Sequence, residues 1–440
     1  MSAMRRHLPV SMFDAFKPES PLIGLAAKCA LLVNYWDRPY AGAATDAAEI
    51  EFFDDVYWWY KSVRPIIRPE ENASEVLGRR DRSVVKLPSG FDEDSTLTIG
   101  AAGDLIQTEG IEHSKDVLFS NVSDILFDKD ISFANYESIV ANDDVVKKAM
   151  SDARSFTICC SYDQYSAMVQ HRGKYFTVLN TANNHALDLG LAGLENTQRL
   201  LEQNGIMNVG TPRNLEEYGR ANILPCKGIK IGFVSATFGI RKFKLPSDNT
   251  HRIHVAKLNS KHVAPDLELL IGQIADCKAQ GCDFIVASIH WGWEFEFFPR
   301  QSQTETAHTL VEAGVDLILG HHPHVIQPVE YYRTKRDPNR IAVIAYSLGS
   351  TTFGWFTAPH LPLSLILNIE LCKGGMSSGK RTYISAANAI PVFRHSFCEE
   401  HRYIMRLEKL DAHSIVDANT SRSITQMKEY ADLVLGDSRG

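Results

Sequence analysis

Val315-Asp316-Leu317-Ile318-Leu319-Gly320-His321-His322-Pro323-His324 joins an apolar run, short enough for one buried strand, to three imidazoles within four residues. Histidine is the commonest nitrogen ligand for zinc, iron and manganese. At the carboxyl end of a parallel strand it points into the crevice where open α/β sheets bind ligands. The stretch therefore predicts a layered α/β protein with polar chemistry at its strand ends.

Working outward, short β-branched or apolar runs at residues 97–101, 131–134, 176–180, 229–236, 283–289, 341–347 and 363–369 accompany the run at 315–319. Between them, residues 189–204 and 261–280 carry apolar side chains at three-to-four-residue spacing and end near Gly205 and Gly281, as helices do. Strands alternating with such helices predict the α/β class. Organisation changes near residue 95. An aromatic helical stretch (Phe52, Phe53, Tyr57, Trp58, Trp59, Tyr60) precedes it, followed by a polar segment at 64–94 that reads as a linker or surface-hugging arm. The expected division is an N-terminal helical extension at 1–95, a main domain at 96–410 and a tail at 411–440 with one amphipathic helix, 421–435, and a frayed end. No internal repeat or low-complexity tract is visible.

Composition narrows the function. Of 440 residues, 44% are hydrophobic and 22% charged, and the net charge of −7 lacks the basic footprint of a nucleic-acid binder. The basic start Met4-Arg5-Arg6-His7 is followed by no apolar signal region, and the most apolar early stretch, 22–33, contains Lys28 and falls short of the ~20 residues of a membrane helix. The chain thus reads as intracellular and cytoplasmic, with no membrane span. Eight cysteines without CxxC spacing suit reduced thiols.

Five predicted strands end in polar clusters: Gly103-Asp104, Asn135-Tyr136-Glu137, Asn180 to His185, His290 to Glu294, and the histidine run. Singly, each has a bland reading. Asp104 caps a turn, Asn135, Asn183 and Asn184 tolerate left-handed backbone, His185 is a satisfied buried imidazole, and Glu294 pairs with Arg300. His308 reads as structural. Jointly, the clusters supply carboxylate, amide oxygen and imidazole at corresponding strand ends, the mixture that a dinuclear site of hard or borderline cations needs.

The runs Ala182-Asn183-Asn184-His185-Ala186-Leu187-Asp188-Leu189-Gly190, His290-Trp291-Gly292-Trp293-Glu294, Gly320-His321-His322-Pro323-His324-Val325-Ile326-Gln327-Pro328 and Tyr346-Ser347-Leu348-Gly349 resemble, in order, the CapA family of capsule and poly-γ-glutamate synthesis proteins. That family belongs to the calcineurin-like metallophosphoesterases, and the likeness covers residues 96 to 370. It implies a four-layer α/β sandwich holding two divalent metal ions, manganese, iron or zinc. It also implies roles: Asp104, Glu137, Asn184, His290, His322 and His324 as metal ligands, with Glu137 where the bridging carboxylate stands, and His185 as the acid for the leaving group. Asn135, Asn183, His321, Trp291 and Ser350 fall beside the ligands as substrate or supporting residues. Glu294, four residues beyond His290, is placed with the catalytic group or behind it. The aromatics Trp291, Trp293 and Phe297 either wall the pocket or belong to the core.

Four departures stand out. The opening Asp-x-His is here Asp104-Leu105-Ile106, and Glu137 replaces an aspartate. Ser350 stands where the family usually has asparagine, and the usual membrane anchor is not seen. The resulting expectation is a metal-dependent hydrolase acting on an anionic or amide-containing small molecule, through a phosphoester or γ-glutamyl-type bond. The alternatives are an accessory protein of poly-γ-glutamate synthesis without turnover and a binding module with a purely structural metal site. Oligomeric state stays open, as does whether residues 1–95 cover the site, form a dimer surface or extend the core.

Overall fold

A computed structural model of the chain describes residues 9–70, 74–151, 156–241, 243, 245–376, 379–411 and 418–436. The basic start and the last four residues of the tail, with its expected fraying, lie outside them.

Side-chain parity along the strands builds the layers. In the strand Asp92–Leu105, Leu97, Ile99 and Ala101 join Ile131, Phe133 and Val178 on one face, where they meet Ile231, Phe233, Phe284, Val286, Leu317 and Leu319 of a second sheet. Phe133 and Phe233 stack across this interface at 6.2 Å and 2°. The alternate residues Ala102, Ala134 and Leu179 turn outward onto Leu126, Tyr165, Met168 and Leu201 of the flanking helices. On the far side, Val234, Ile285, Ala287 and Ile318 pack against Leu270 and Ile274 of the helix Glu268–Ala279 and Leu310 and Val311 of the helix Gln301–Ala313. The result is the four-layer α/β sandwich, helix, sheet, sheet, helix.

The first sheet has eight strands. Its path runs Arg402–Lys409, Gly379–Glu399, Leu363–Met376, Asp92–Leu105, Ile131–Tyr136, Val178–Asn180 and Met207–Val209, with Ser350–Thr352 pairing beside Asp104. The first four of these pair antiparallel and the rest parallel. The second sheet runs Val329–Arg333, Ile341–Ala345, Leu317–His321, Phe284–His290, Ile229–Thr237 and Asn222–Cys226, with a parallel centre and antiparallel edges.

Several predicted elements need correction: the strand expected over 315–319 is Leu317–His321, and the one over 97–101 is Asp92–Leu105. The helix expected over 261–280 begins only at Glu268, because Pro265 lacks a donor and the Lys261 backbone N–H is bound by Glu49 at 2.8 Å. The strand expected over 176–180 is Val178–Asn180, since the Phe176 N–H turns back to Val169 O. The hairpin of Gly379–Glu399 and Arg402–Lys409 was not predicted; its strands are only half-buried and laced with Arg, Lys and Asn. The tail helix spans Ala418–Leu435 and sinks Met427, Ala431 and Val434 into the inter-sheet core.

Ahead of the sandwich, the helices Pro21–Val33 and Phe52–Val63 pack through Ile23, Ala27, Val56 and Trp59. The segment is tied to the loop after the strand Phe284–His290, where Ile66 exchanges backbone hydrogen bonds of 2.9 Å with Phe295 and Phe297. Among the described residues, no helix is long and apolar enough to cross a membrane. All eight cysteines are free thiols.

Candidate metal centre

Two rows of strand ends meet across the sandwich. In the first sheet, register aligns Asp104, Asn135 and Asn180; in the second, it aligns Thr237, His290 and His321. Asp104 reaches the inner face only because the register shifts between Ala101 and Asp104, inserting one extra residue against the neighbouring strand. Gly103 makes this possible: a Cβ there would lie 1.9 Å from the Gly349 carbonyl oxygen. Gly320 is constrained in the same way by the Tyr346 carbonyl, also at 1.9 Å.

A relay of amides orients the first row. Ser235 donates to Asn180 Oδ1 at 2.5 Å, Asn180 Nδ2 to Asn135 Oδ1 at 2.8 Å, and Asn135 Nδ2 to Asp104 Oδ1 at 2.9 Å. Asn135 Nδ2 also lies 3.3 Å from His290 Nδ1, so the other ring nitrogen of His290 faces the centre. There His290 Nε2 sits 2.9 Å from Asn184 Oδ1 and 3.5 Å from Glu137 Oε1. Spacings of about 3 Å are what donor atoms on bonds of about 2.0–2.2 Å to one ion would show.

Parity alone would turn His322 away from the centre. Left-handed backbone at His322 (φ 95°) and His324 (φ 54°) brings both back, at a cost of about 1–2 kcal/mol each. His322 Nε2 lies 3.2 Å from the Thr45 hydroxyl and 3.4 Å from Glu294 Oε2, while its Nδ1 is buried without a hydrogen bond. His324 Nδ1 lies 3.2 Å from Asp104 Oδ2 and 3.0 Å from Ser350 Oγ. Two buried sets of donor atoms result: Glu137, His290 and His322, and Asp104, Glu137 and His324, each gathered within 4.8 Å. Glu137 belongs to both.

The carboxyl groups of the site are pushed in opposite directions. Burial, then the charges of Asp104, Glu294 and Asp188, push the Glu137 carboxyl well above its ordinary range, and its Oε1 has no hydrogen bond. Burial would also raise Asp104, but the His321 and His324 rings, each 3.2 Å away, outweigh it and hold the group well down. Glu294 is held down similarly, with the His322 charge overcoming burial. Burial and the neighbouring His322 push His290 well below the usual imidazole range, which favours the neutral ring that ligates metal. These donors fit divalent cations: a shared buried carboxylate whose Oε1 has no hydrogen bond, an amide oxygen and imidazoles.

His185 borders the centre. Its Nδ1 is 2.7 Å from Asp188 Oδ2 and its Nε2 4.0 Å from Glu137 Oε1; burial lowers its pKa and Asp188 opposes the shift. Arg241 lies 3.4 Å from Asp188. Other expected neighbours are placed differently. Asn183 is used in bracing its turn, donating to Tyr136 O at the end of the strand Ile131–Tyr136 at 2.9 Å and accepting from the His185 N–H at 3.1 Å. His321 Nδ1 stands 3.2 Å from Asp104. Trp291 faces the outer core, its indole N–H donating to Tyr346 O at 3.1 Å, so it lies away from the centre. Phe297 belongs to the inter-sheet core and Trp293 packs with Tyr57 and Tyr60. Glu294 does not pair with Arg300; Glu296 does, through two bonds of 2.9 and 3.0 Å. His308 is bound by Glu330 at 2.9 Å and stacks on Tyr332.

Sequence reasoning gave no role to Asp188, Arg241, Asn180 or Thr45. The His-x-x-Asp spacing within one turn was a usable signal for Asp188, and Asn180 stood at the head of a strand-end cluster; Arg241 and Thr45 had no signal.

Fold and site together define a two-sheet α/β protein with a buried histidine–carboxylate centre at the carboxyl ends of its strands. The profile of the family described as "Bacterial capsule synthesis protein PGA_cap" matches residues 98–354, and the chain belongs to that family. It is 29% identical over 312 residues to the "PGA biosynthesis protein CapA" of Bacillus subtilis (strain 168), covering 68% of this chain and 74% of that protein. It is 28% identical over 282 residues to the "Capsule biosynthesis protein CapA" of Bacillus anthracis, covering 62% and 64%. A "Probable polyglutamine synthesis accessory protein" of Mycobacterium tuberculosis (strain H37Rv) shares 30% over 159 residues, covering 35% and 41%. The chain thus spans just under two thirds of the length of the second relative and less than half of the third.

Proposed function

We propose that this chain is a metal-dependent hydrolase acting on a phosphoester or a γ-glutamyl or other amide bond. The observation that supports it best is the pair of donor sets sharing Glu137, whose Oε1 lies buried without a hydrogen bond. Two divalent cations, manganese, iron or zinc, would be held by Asp104, Glu137, Asn184, His290, His322 and His324. When bound, such ions lower the pKa of water to near neutrality and polarise a substrate oxygen.

The chain's own residues carry the rest. His185, its Nδ1 held by Asp188, presents Nε2 on the cavity side as the donor of a proton to the leaving group. Asp188 opposes the effect of burial on the ring, as a carboxylate behind an imidazole does. Arg241, beside this pair, offers a guanidinium to an anionic group of the substrate. Glu294 lines the cavity, where it braces His322 and can accept a hydrogen bond from substrate.

Metal analysis of the purified chain tests this reading together with a screen of phosphorylated and γ-glutamyl compounds with manganese. About two ions per chain and turnover of one compound class are expected; a chain free of metal under non-chelating conditions sinks it. The names of the relatives favour a second reading, an accessory role in poly-γ-glutamate synthesis without turnover. Under that reading His185→Asn leaves polymer synthesis intact in a complemented strain, whereas a required hydrolysis stops.

A further inference from the structure

A cavity of ≈ 350 Å³ opens over the centre, and more than half of the residues lining it lie between Met12 and Lys61, ahead of the family-matched residues 98–354. Glu137, Asn184, His185, Glu294 and His324 form its floor. The wall beside it carries Phe16, Ile23 and Trp58 from the N-terminal segment together with Phe156, and the same segment adds the acidic side chains of Glu19, Asp54 and Asp55 to the lining. Its rings interlock: Trp58 meets Phe156 edge-on at 5.7 Å, and Phe16 stacks on Phe156 at 5.1 Å.

This wall is anchored. The Trp293 indole N–H donates to Ala43 O at 3.1 Å, and Tyr57 donates to Glu296 at 3.0 Å. Buried Lys61 pairs with the same Glu296 at 3.3 Å. Thr45 sits on His322, so the segment reaches the centre itself.

We infer that the N-terminal segment is the specificity wall of the site, and that the compartment takes a small molecule joining an oxyanion to an apolar, ring-sized group. The inference rests on the metal-centre reading above. A pocket of this size suits a small ligand, with a few polar groups fixing one end and aromatic surface covering the other. The oxyanion belongs on the floor, near Arg241 and the donor sets. The ring belongs against Trp58 and Phe156, where stacking and burial reward it. A linear polyanion fits poorly, because further carboxylates would be desolvated against Phe16, Ile23 or Trp58 and repelled by Glu19, Asp54 and Asp55, while Lys61 is already paired with Glu296.

Calorimetric titration of the manganese-loaded full chain with phenylphosphonate and methylphosphonate tests this, since the two share an oxyanion and differ in the ring. The wild type should bind phenylphosphonate at least about ten-fold more tightly, as loss of a buried ring's contacts predicts. Trp58→Ala should compress the ratio below about three-fold with manganese content retained. Phe156→Ala, read the same way, serves if the first variant loses its metal. Equal affinities in the wild type, or a ratio that survives both substitutions, would overturn the inference while leaving the metal centre standing. Failure of a metal-loaded wild type to bind either phosphonate would do the same. A chain that loads no manganese overturns both readings.

Discussion

Glu137 Oε1 lies 3.5 Å from His290 Nε2, both side chains are fully buried, and no hydrogen bond reaches that oxygen. A carboxylate so placed needs a countercharge, and burial disfavours the charged form of the His290 ring beside it.

Glu137→Gln keeps the shape of the side chain and removes the charge common to both donor sets. It should lower metal content from about two ions per chain to one or none by elemental analysis. A ligand at about 100-fold over its Kd stabilises by about 2.7 kcal/mol, so chelation should lower the Tm of the wild type and leave that of the variant almost unmoved. Equal Tm losses would remove Glu137 from the shared position.

His185→Asn should retain the metal and lose turnover by about 10² to 10⁴-fold, the usual contribution of a positioned acid. Asp188→Asn should act through His185, lowering kcat less and displacing the pH profile, because Asp188 is the group that opposes burial at the ring. Unchanged turnover in His185→Asn, measured on whichever compound the screen yields, removes the residue from the acid role.

Gly103→Ala places a methyl group where the Gly349 carbonyl lies 1.9 Å away, a backbone contact that no rotamer relieves. A loss of about 3 kcal/mol or more is expected by urea denaturation, in the range of severe overpacking. Metal content should fall with it, because the same bulge aims Asp104. A variant of wild-type stability would show that the Tyr346-to-Gly349 turn yields easily.

Stability should fall with acidification through two histidines remote from catalysis. Burial lowers His254 from 6.5 to about 4, and its Nε2 accepts the Gly219 N–H at 3.1 Å; burial lowers His360 to about 3. Below pH 6.5 the unfolded chain binds protons that the native rings refuse, so each contribution is complete above 6.5 and is lost as pH falls toward 4 and 3. The His254 shift corresponds to about 3 kcal/mol. His254→Gln keeps an acceptor for Gly219 and should flatten the slope of unfolding free energy between pH 6.5 and 4. An unchanged slope would place the acid sensitivity elsewhere.

Much of the site was legible because its residues sit at strand ends that hydrophobic runs mark out. Asp104, Glu137, Asn184, His290, His322 and His324 were all named from such positions, and the structure brings them within one centre. Thr45 and Arg241 carried no comparable mark. Each meets its partner across a long separation in sequence, Thr45 with His322 and Arg241 with Asp188, and neither lies at the end of a predicted strand. Trp291, left open between pocket wall and core, falls to the core for the opposite reason: next to His290 in sequence, it points to the other face of the sheet because strand side chains alternate.

By itself, then, the sequence determined the layered α/β class, the carboxyl-end location of the polar clusters and the chemical types gathered there, since local patterning and residue identity suffice for each. Tertiary structure alone decided which way those residues face. The extra residue at Gly103 reverses the parity of Asp104, and left-handed backbone turns His322 and His324 inward. Neither follows from a periodic pattern, because both depend on carbonyls and neighbours supplied by distant strands. The N-terminal wall was decided at the same level, by buried contacts of Thr45, Tyr57 and Lys61 with residues more than two hundred positions away.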